Sequence, residues 1–310
     1  MGSYRKKSAV VAVLGLVLLA VGLFSSSAWA KTTKCLVINS RLGQSYSSLQ
    51  AGVDAAPAGG TLWVRGTCMG TTTISKNLTV TGQHPRGFTA PTLDGGGDGH
   101  VLTITAAAQV AINALTITNG DEETFGEGGG IYNEGTLTLT GATITGNAAY
   151  IGGAIFNAGT LTLNSTSVTA NSGKYCAGIV NNGTLTLNGS AAISHNTAYE
   201  AGGLSNGGTA TLNDSSTISG NNSAFDGGGV LNGGSLTLND ASSVSGNSSD
   251  AGLGGGILNE GTVTLNGNSS VTGNIAAIDG GGIYNEATLT GAVPGAGGNV
   301  YNNSPDDIAP

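Results

Sequence analysis

A repeat of 24 to 27 residues runs through the second half of the chain and limits the folds that the sequence can adopt. Its first clear copy begins near Gly129 and extends to Asn147. One asparagine marks the same place in every copy: Asn133, Asn157, Asn181, Asn206, Asn232, Asn259 and Asn285. A near-fixed period of this size is typical of a solenoid, in which each repeat packs only against its neighbours.

The residues within one copy predict short β-strands. In Thr136–Thr140, leucine alternates with threonine, which gives a strand one buried face. Similar runs around Ile131 and Ile144 bring the expected number to about three strands per copy. Glycine and asparagine occupy the turns between these runs, and no intervening segment is long enough for a crossover helix. We therefore predict an all-β fold in which each strand pairs in parallel with its equivalent one coil further on.

Asparagine recurs at a second fixed place, in the bend after the run around Ile144. The residues at this place are Asn147, Asn171, Asn196, Asn221, Asn247 and Asn274. An amide at a bend satisfies backbone groups of the turn and passes a hydrogen bond to the next coil. We therefore predict that the recurring asparagines form structural ladders.

The composition agrees with one elongated body rather than a compact core. The chain of 310 residues contains 55 glycines, 5% aromatic residues and 9% charged residues. Three irregular coils in 31–127 precede the seven clear copies in 128–293, which predicts about ten coils and a rod of about 50 Å. A short helix over 45–56 is expected to cap the open N-terminal end. The tail, 294–310, loses the pattern and is expected to be a loose cap or a disordered end.

The first 30 residues, 1–30, have the features of a signal peptide. Three basic residues, Arg5–Lys7, precede an apolar run, and a small-x-small cleavage pattern follows at Ala28–Ala30. An uncleaved anchor is the alternative. After cleavage, 7 basic residues would face 18 acidic ones, a net charge of −11. We therefore expect a secreted or cell-surface protein that binds no nucleic acid and has no membrane span after signal removal.

The three cysteines fit an exported protein with one disulfide. Cys35 and Cys68 both lie in the N-terminal region and are expected to pair. Cys176 occupies the place that Gly152 holds in the preceding copy, and we expect a free, partly buried thiol. A catalytic cysteine needs a neighbouring histidine, and nothing marks His195, the one histidine of the repeats, as its partner.

The order of these elements resembles the right-handed parallel β-helix, or pectate-lyase-like, superfamily. The motifs that carry this resemblance are GTTTIS and LTVTG within 70–82 and LTITNG at 115–120. The repeats more specifically resemble those of polymorphic outer membrane proteins, whose marks are GGAI and FxxN. Residues 152–155 match GGAI literally, and 144–147 match FxxN with Ile in place of Phe. The resemblance implies a single right-handed β-helix.

The same superfamily includes polysaccharide lyases and hydrolases, which makes such an enzyme the main alternative function. Its lyases use a basic residue, often Arg, with carboxylate-bound calcium, and the clear repeats contain no Arg. Its hydrolases use paired aspartates, and glycoside hydrolysis needs two carboxylates about 5–10 Å apart. The repeats offer single acids at turns, while Asp306 and Asp307 lie in the tail. We therefore predict no catalytic residue.

A row of acids is the candidate metal site. Acidic residues stand six positions before the marker asparagine in several copies: Glu127, Glu200, Asp226 and Asp279. Stacked turns would bring Glu200 and Asp226 about one coil apart, where calcium would relieve their repulsion. A solvated acidic edge that discourages aggregation is the alternative.

Two rows of side chains are expected to point away from the core. The first is a Thr-x-Thr array, from Thr136 and Thr138 to Thr288 and Thr290, which resembles the ice-binding face of some β-solenoid antifreeze proteins. The alternative is that threonine is simply a soluble β-former. The second row precedes the marker asparagines. Its candidate contact residues for a glycan or protein surface are Tyr132, Phe156, Leu231, Leu258 and Tyr284. Burial under turns is the alternative for this row.

Together these features predict an exported, non-enzymatic β-helix that serves as an adhesion, interaction or structural module outside the cell. A polysaccharide-active enzyme and an ice-binding protein are the alternatives.

Overall fold

The computed structural model describes residues 33–310, which fold into short β-strands and one helix. The predicted signal peptide, 1–30, lies outside the described residues. The chain winds into a β-solenoid of about ten turns, so the parallel all-β fold that the repeat predicted is confirmed.

The irregular N-terminal coils and the cap contain one helix and eleven strands within the described residues. They are β1 (Leu36–Asn39), β2 (Ser45–Tyr46), α1 (Leu49–Ala55), β3 (Gly60–Arg65), β4 (Thr67–Met69), β5 (Thr72–Ile74), β6 (Leu78–Gly82), β7 (Thr92–Asp94), β8 (Leu102–Ile104), β9 (Gln109–Asn113), β10 (Thr116–Thr118) and β11 (Asp121–Glu127).

The clear repeats and the tail contain the remaining strands. The first four repeats supply β12 (Ile131–Asn133), β13 (Thr136–Thr140), β14 (Thr143–Thr145), β15 (Ala148–Ile151), β16 (Ile155–Asn157), β17 (Thr160–Asn164), β18 (Ser167–Thr169), β19 (Ser172–Gly173), β20 (Ile179–Asn181), β21 (Thr184–Asn188), β22 (Ala192–Ser194), β23 (Thr197–Ala198), β24 (Leu204–Asn206), β25 (Thr209–Leu212), β26 (Thr217–Ser219) and β27 (Asn222–Ser223). The rest are β28 (Val230–Asn232), β29 (Ser235–Leu238), β30 (Ser243–Ser245), β31 (Ser248–Ser249), β32 (Ile257–Asn259), β33 (Thr262–Leu265), β34 (Ser270–Thr272), β35 (Ile275–Ala276), β36 (Ile283–Asn285), β37 (Thr288–Thr290), β38 (Val300–Tyr301) and β39 (Ile308–Ala309).

Equivalent strands of successive coils pair in parallel and form four sheets along the solenoid. Sheet 1 has the order β2-β1-β3-β6-β9-β13-β17-β21-β25-β29-β33-β37, and sheet 2 has the order β4-β7-β10-β14-β18-β22-β26-β30-β34-β38. Sheet 3 runs from β11 through β15, β19, β23, β27 and β31 to β35, and sheet 4 runs β5-β8-β12-β16-β20-β24-β28-β32-β36-β39. Each regular coil therefore visits sheets 4, 1, 2 and 3 in turn.

A regular coil has four strands where the sequence predicted about three. The additional strand is the sheet 3 strand, which in most coils is only two residues long. Its inward side chains are small, as at Ala149, Ala198 and Ser223, so this strand carries no pattern of large apolar residues. A strand this short and this poor in apolar residues gives no periodic signal.

The core is a set of ladders of identical or similar residues. In sheet 1, Leu137 pairs with Leu161, and Leu161 pairs with Leu185. All three side chains are fully buried, as the alternation with threonine predicted. Each such leucine contributes about 2 kcal/mol by leaving water. Because every coil adds the same contacts, the core continues along the solenoid.

Two buried asparagine ladders run beside this core, and their predicted structural role is confirmed. In the ladder of marker residues, Asn157 Nδ2 donates to Asn181 Oδ1 at 2.7 Å, and Asn181 Nδ2 donates to Asn206 Oδ1 at 2.8 Å. In the ladder at the bend, Asn171 Nδ2 donates to Asn196 Oδ1 at 2.9 Å. A third ladder at the ends of the sheet 1 strands was not predicted, and it joins Asn164, Asn188, Asn213, Asn239 and Asn266.

The N-terminal cap is smaller than the helix predicted over 45–56. The helix spans Leu49–Ala55, and its N-cap is Ser48, whose Oγ accepts the Ala51 N–H at 3.2 Å. Ser45–Tyr46 instead forms a strand that pairs antiparallel with β1. The hydroxyl at the N-cap position therefore sets the start of the helix.

The expected cysteine pair is joined in the structure. A disulfide links Cys35, which precedes β1, to Cys68 in β4. The bond ties the antiparallel strands at the start of sheet 1 to the first strand of sheet 2.

The tail, 294–310, forms a further partial coil over the last complete one. Its strand β38 pairs with β34 in sheet 2, and β39 pairs with β36 in sheet 4. Asn303 extends the ladder at the bend, because its Oδ1 accepts from Asn274 Nδ2 at 3.0 Å. The tail therefore covers the end of the core.

Candidate functional site

The row of residues before the marker asparagines lies on the outer side of sheet 4, as expected. Tyr132 pairs with Phe156, and Phe156 pairs with Val180. The rings of Tyr132 and Phe156 stack with their centroids 5.4 Å apart and their planes 7° from parallel. The predicted contact between these two rings is therefore present.

This row is not the open surface that the sequence suggested. Phe156 is 7% exposed and Leu258 is 6% exposed, and both are buried, whereas Tyr132, Leu231 and Tyr284 are half-buried. The turn from sheet 3 to sheet 4 covers the row. An added Cβ at Gly254, for example, would lie 2.7 Å from the Cβ of Leu258.

The covered residues form a second, small hydrophobic cluster outside the main core. It combines Phe156 and Val180 with Cys176 and Ala201 from the covering turns. The expectation of an exposed contact stripe is therefore wrong for Phe156 and Leu258, because glycine turns close over them.

One end of this row lies beside the acidic loop at 121–127. The ring of His100 stacks on Tyr132 with centroids 5.4 Å apart, and its Nε2 lies 3.7 Å from Glu122 Oε1. Burial, with smaller contributions from Glu134 and Glu127, raises the pKa of Tyr132. The hydroxyl of this tyrosine therefore stays neutral at physiological pH.

A different set of aromatic residues is exposed. We define the aromatic ridge as Tyr150, Tyr175, Tyr199 and Phe225, which stand in four successive coils, Tyr150 within its sheet 3 strand and the others one or two residues after theirs. Tyr175 is 43% exposed, Tyr199 is 49% exposed and Phe225 is 40% exposed, while Tyr150 is half-buried. Aromatic residues make up only 5% of the chain, so three exposed rings and one half-buried ring in a single row mark a candidate contact surface.

The rings of the aromatic ridge contact each other in two pairs. Tyr150 and Tyr175 meet edge to face, with centroids 5.1 Å apart and planes 68° apart. Tyr199 and Phe225 have centroids 4.5 Å apart and planes tilted by 43°. A hydrogen bond with the Tyr150 side chain raises the pKa of Tyr175. The rings therefore contact one another, while Tyr175, Tyr199 and Phe225 stay 43%, 49% and 40% exposed.

The backbone of the aromatic ridge is held by the hydrogen bonds between coils. The Tyr175 N–H donates to the Tyr150 carbonyl at 3.0 Å, and the Phe225 N–H donates to the Tyr199 carbonyl at 3.0 Å. The Phe225 carbonyl accepts from the hydroxyls of Ser223 and Ser249. The solenoid thus fixes where each ring stands before any partner arrives.

The charges beside the aromatic ridge are mostly negative. Glu200 follows Tyr199 in the chain and Asp226 follows Phe225. Lys174, the single basic residue of the clear repeats, has its Nζ 4.9 Å from the centroid of the Tyr150 ring. The surface therefore combines apolar ring faces with hydrogen-bond acceptors.

The sequence analysis missed the aromatic ridge although a signal was present. Tyr150, Tyr199 and Phe225 each stand seven places before the marker asparagine, and Tyr175 stands six places before it. This position directly precedes the acid row that was recognised. The row is hard to see because the turn varies in length, so alignment on the marker asparagine places Lys174 rather than Tyr175 at the aromatic position.

The candidate metal ligands Glu200 and Asp226 lie in successive coils, as expected. The Oδ1 atom of Asp226 accepts the backbone N–H of Leu253 at 2.8 Å. Among the side chains that the structure describes, no group of three or more His, Cys, Asp or Glu residues is placed to hold a metal ion. Calcium binding at this pair stays a prediction.

The Thr-x-Thr array lies on the outer side of sheet 1 in continuous register. Thr136 pairs with Thr160, and Thr138 pairs with Thr162. The pairing continues to Thr288 and to Thr290, with Ser235 as the one substitution in the first row. Two aligned hydroxyl rows therefore cross the seven clear coils.

The free thiol is placed where it has no access to a substrate. Cys176 is free, as expected, but it is fully rather than partly buried, and burial raises the pKa of its thiol to about 12. Its Sγ donates to the Ile179 carbonyl at 3.2 Å. The side chain of His195 is on the exposed surface, so the two residues form no nucleophile–base pair.

One pair of acids was not expected from the sequence. The side chains of Asp279 and Asp306 are hydrogen-bonded, and burial followed by the contact with Asp279 raises the pKa of Asp306. The Oδ1 atom of Asp306 also accepts the Gly281 N–H at 3.2 Å. Carboxyl groups in direct contact leave no space for the sugar or the water that glycoside hydrolysis needs between them.

No protein-family model matches this chain, and neither a curated protein nor a solved structure matches it. Among the described residues, no helix is long and apolar enough to cross a bilayer.

Proposed function

We propose that this protein is an exported, non-enzymatic β-solenoid that acts at the cell surface or outside the cell as an adhesion or interaction module. The observation that carries the proposal is the aromatic ridge on a rigid, repetitive scaffold. Exposed rings that cost free energy in water are retained where they contact a partner. The signal-like segment at 1–30 and the disulfide support a place outside the cytoplasm.

The family resemblance is part of the same proposal. We infer membership of the right-handed, pectate-lyase-like β-helix superfamily, with repeats like those of polymorphic outer membrane proteins. The parallel four-sheet solenoid and the glycine-rich turns at 152–155 support this inference. A fold of this kind carries many functions, so the surface rather than the fold has to identify the activity.

Adhesion is tested with beads coated with the purified protein and passed under flow over epithelial cells, bacterial cells and plant cell-wall fragments. We expect retention on at least one surface, and its loss in a triple variant with serine at Tyr175, Tyr199 and Phe225. A matched control replaces three exposed apolar residues elsewhere: Leu42, Met69 and Val293. Equal retention of both triple variants and the native protein would overturn the proposal.

An ice-binding protein is the second candidate, and the unbroken register of the Thr-x-Thr array favours it. Repeated hydroxyls at the spacing of parallel strands, about 4.8 Å, can hold water in an ordered layer. Thermal hysteresis that disappears in Thr186→Tyr but persists in Thr217→Tyr, on sheet 2, would support this candidate. Absence of thermal hysteresis in the native protein would leave the array as a soluble β-surface.

The third candidate is a polysaccharide lyase or hydrolase. Cleavage of pectin or a related polysaccharide by the purified protein, abolished by replacing one acid, would overturn the non-enzymatic proposal.

A further inference from the structure

We propose that the corner that carries the aromatic ridge binds a second copy of this chain, with the two solenoids antiparallel. This inference rests on the proposed function and names the partner of its contact surface. It is carried by the register of the residues that follow the sheet 3 strands, by the sizes of their side chains and by their charges.

Two rows of side chains form this corner in six successive coils. The residues that pair with one another at the end of sheet 3 are Ala149, Gly173, Ala198, Ser223, Ser249 and Ala276. The first row follows them directly and consists of Tyr150, Lys174, Tyr199, Ala224, Asp250 and Ala277. The second row comes one residue later and consists of Ile151, Tyr175, Glu200, Phe225, Ala251 and Ile278. We call the two rows together the contact face.

The contact face concentrates the apolar surface of the molecule. Tyr175, Tyr199, Phe225 and Ile278 are four of the eight large apolar side chains that are exposed among the described residues, and Ile278 is 63% exposed. Because the rings pack on one another in pairs, they present a surface with relief rather than a flat platform. Such a surface is buried most fully against a partner of complementary shape.

The sizes of these side chains are complementary to one another under a twofold rotation. The centre of the contact face lies between the coil of Tyr199 and the coil of Phe225. A twofold axis through this centre, at right angles to the solenoid axis, reverses the order of the coils and keeps each row against its own row. Tyr175 then faces Ala251 of the second copy, and Tyr199 faces Ala224. Each of these rings therefore meets a small side chain rather than another ring.

The same rotation pairs the opposite charges of the first row. Lys174, the single basic residue of the clear repeats, faces Asp250 of the second copy, and the contact occurs twice in the dimer. Both side chains are exposed, and the Asp250 carboxylate is held by Asn222 Nδ2 at 3.1 Å. Glu200 faces Phe225, so no two acids of the contact face meet. An acidic chain can therefore contact its own copy here without like charges opposing each other.

The area of the contact face fits a weak, reversible dimer. Six coils span about 29 Å, and two residues with their side chains span about 15 Å across the strands, which gives about 450 Å² per copy or about 900 Å² in total. Interfaces of this size are weak and transient, so we expect a Kd of about 10–100 µM. Weak contacts of this kind add up when many copies face each other on two surfaces. Self-contact would thus serve adhesion between surfaces that carry this protein.

Sedimentation equilibrium of the purified protein tests the pairing of charges. We expect a reversible monomer–dimer equilibrium. Lys174→Asp and Asp250→Lys should each weaken the dimer about tenfold or more, because like charges then meet, and the variant with both changes should restore the native affinity. Glu260→Lys makes the same change of charge at an exposed acid outside the contact face and should not weaken the dimer. Circular dichroism checks the fold of each variant.

A second pair of variants tests the fit of the side-chain sizes. Ala251→Tyr fills the place that Tyr175 of the second copy occupies, so it should remove the dimer. Ala251→Ser leaves this place open and should keep the dimer. Equal dimerisation of the two variants would show that Tyr175 and Ala251 do not face each other.

The outcomes separate this inference from the proposed function. A protein that is still monomeric at about 1 mM, well above the expected Kd, would overturn the inference. So would a dimer that the double charge change does not restore, since in a parallel dimer Lys174 and Asp250 lie about 14 Å apart along the axis. If no dimer forms while ridge-dependent retention of the beads persists, self-contact is wrong and the adhesion proposal stands. If the dimer behaves as expected but no cell or cell-wall surface retains the beads, self-contact stands and adhesion to those surfaces is wrong.

Discussion

The buried amides of the marker asparagines join each coil to the next through side chains as well as through the backbone. Asn181 Oδ1 accepts from the coil before, and its Nδ2 donates to the coil after and to the Thr209 carbonyl. The ladder begins at Asn133, whose buried Oδ1 has no partner because Ile104 occupies the equivalent place in the preceding coil. Every amide oxygen inside such a ladder therefore has a hydrogen-bond donor, whereas the amide oxygen of its first member has none.

This arrangement predicts a large difference between two neighbouring asparagines. Asn181→Leu keeps the volume of the side chain but leaves Asn206 Oδ1 buried without its donor, so it should cost about 3 kcal/mol. Asn182 is exposed, and Asn182→Leu should change the free energy of unfolding by less than about 0.5 kcal/mol. Urea denaturation followed by circular dichroism measures both. Similar values for the two variants would show that the ladder has no energetic role.

At the scale of single elements, the sequence predicted the strands that bury large residues and missed the others. The leucine alternation of Thr136–Thr140 was sufficient to predict a strand, and the asparagines at the bends were sufficient to predict a ladder. The two-residue strands of sheet 3 were missed because their stability comes from coils above and below, not from local pattern. For the same reason, the burial of Phe156 and the exposure of Tyr199 were not predicted: both depend on how the turn between sheets 3 and 4 closes.

The ionisation of Asp306 in the tail is expected to affect the stability of the protein, because this side chain contacts Asp279 of the last complete coil. The pKa of Asp306 is raised by burial and by Asp279, so folding favours the protonated form of Asp306. This contribution is present below the ordinary pKa of 3.8 and is lost as the pH rises through the raised value. Asp306→Asn does not ionise and keeps an oxygen for the Gly281 N–H. It should therefore raise the melting temperature at pH 7, and the gain should disappear at pH 3.

Asp307 is the matched control for this prediction. Its Oδ1 accepts from the backbone and the amide of Asn303, and its Oδ2 accepts from the Gly295 N–H. Asp307→Asn removes a charged acceptor of three hydrogen bonds and should lower the melting temperature at pH 7. Scanning calorimetry at the two pH values compares the variants. A lower melting temperature for both at pH 7 would show that Asp306 is stabilising as a carboxylate.

The whole molecule behaves as a stack in which each coil contacts only its neighbours, so one coil should be removable. Deletion of 233–259 joins Asn232 to Glu260 and brings β25 against β33 and β28 against β36. Equivalent residues then face each other, because Ala210 meets Val263 and Leu212 meets Leu265 in the same register as before.

We therefore expect the protein without 233–259 to fold into a solenoid shorter by about 4.8 Å. Deletion of 233–245, about half of the coil, is the control. It removes β29 and β30 and joins a sheet 4 strand directly to a sheet 3 strand, so no later coil meets its partner and the protein should aggregate or unfold. Circular dichroism measures the fold of both variants, and small-angle scattering measures their length. A folded half-coil variant, or an unfolded full-coil variant, would show that stability depends on contacts beyond neighbouring coils.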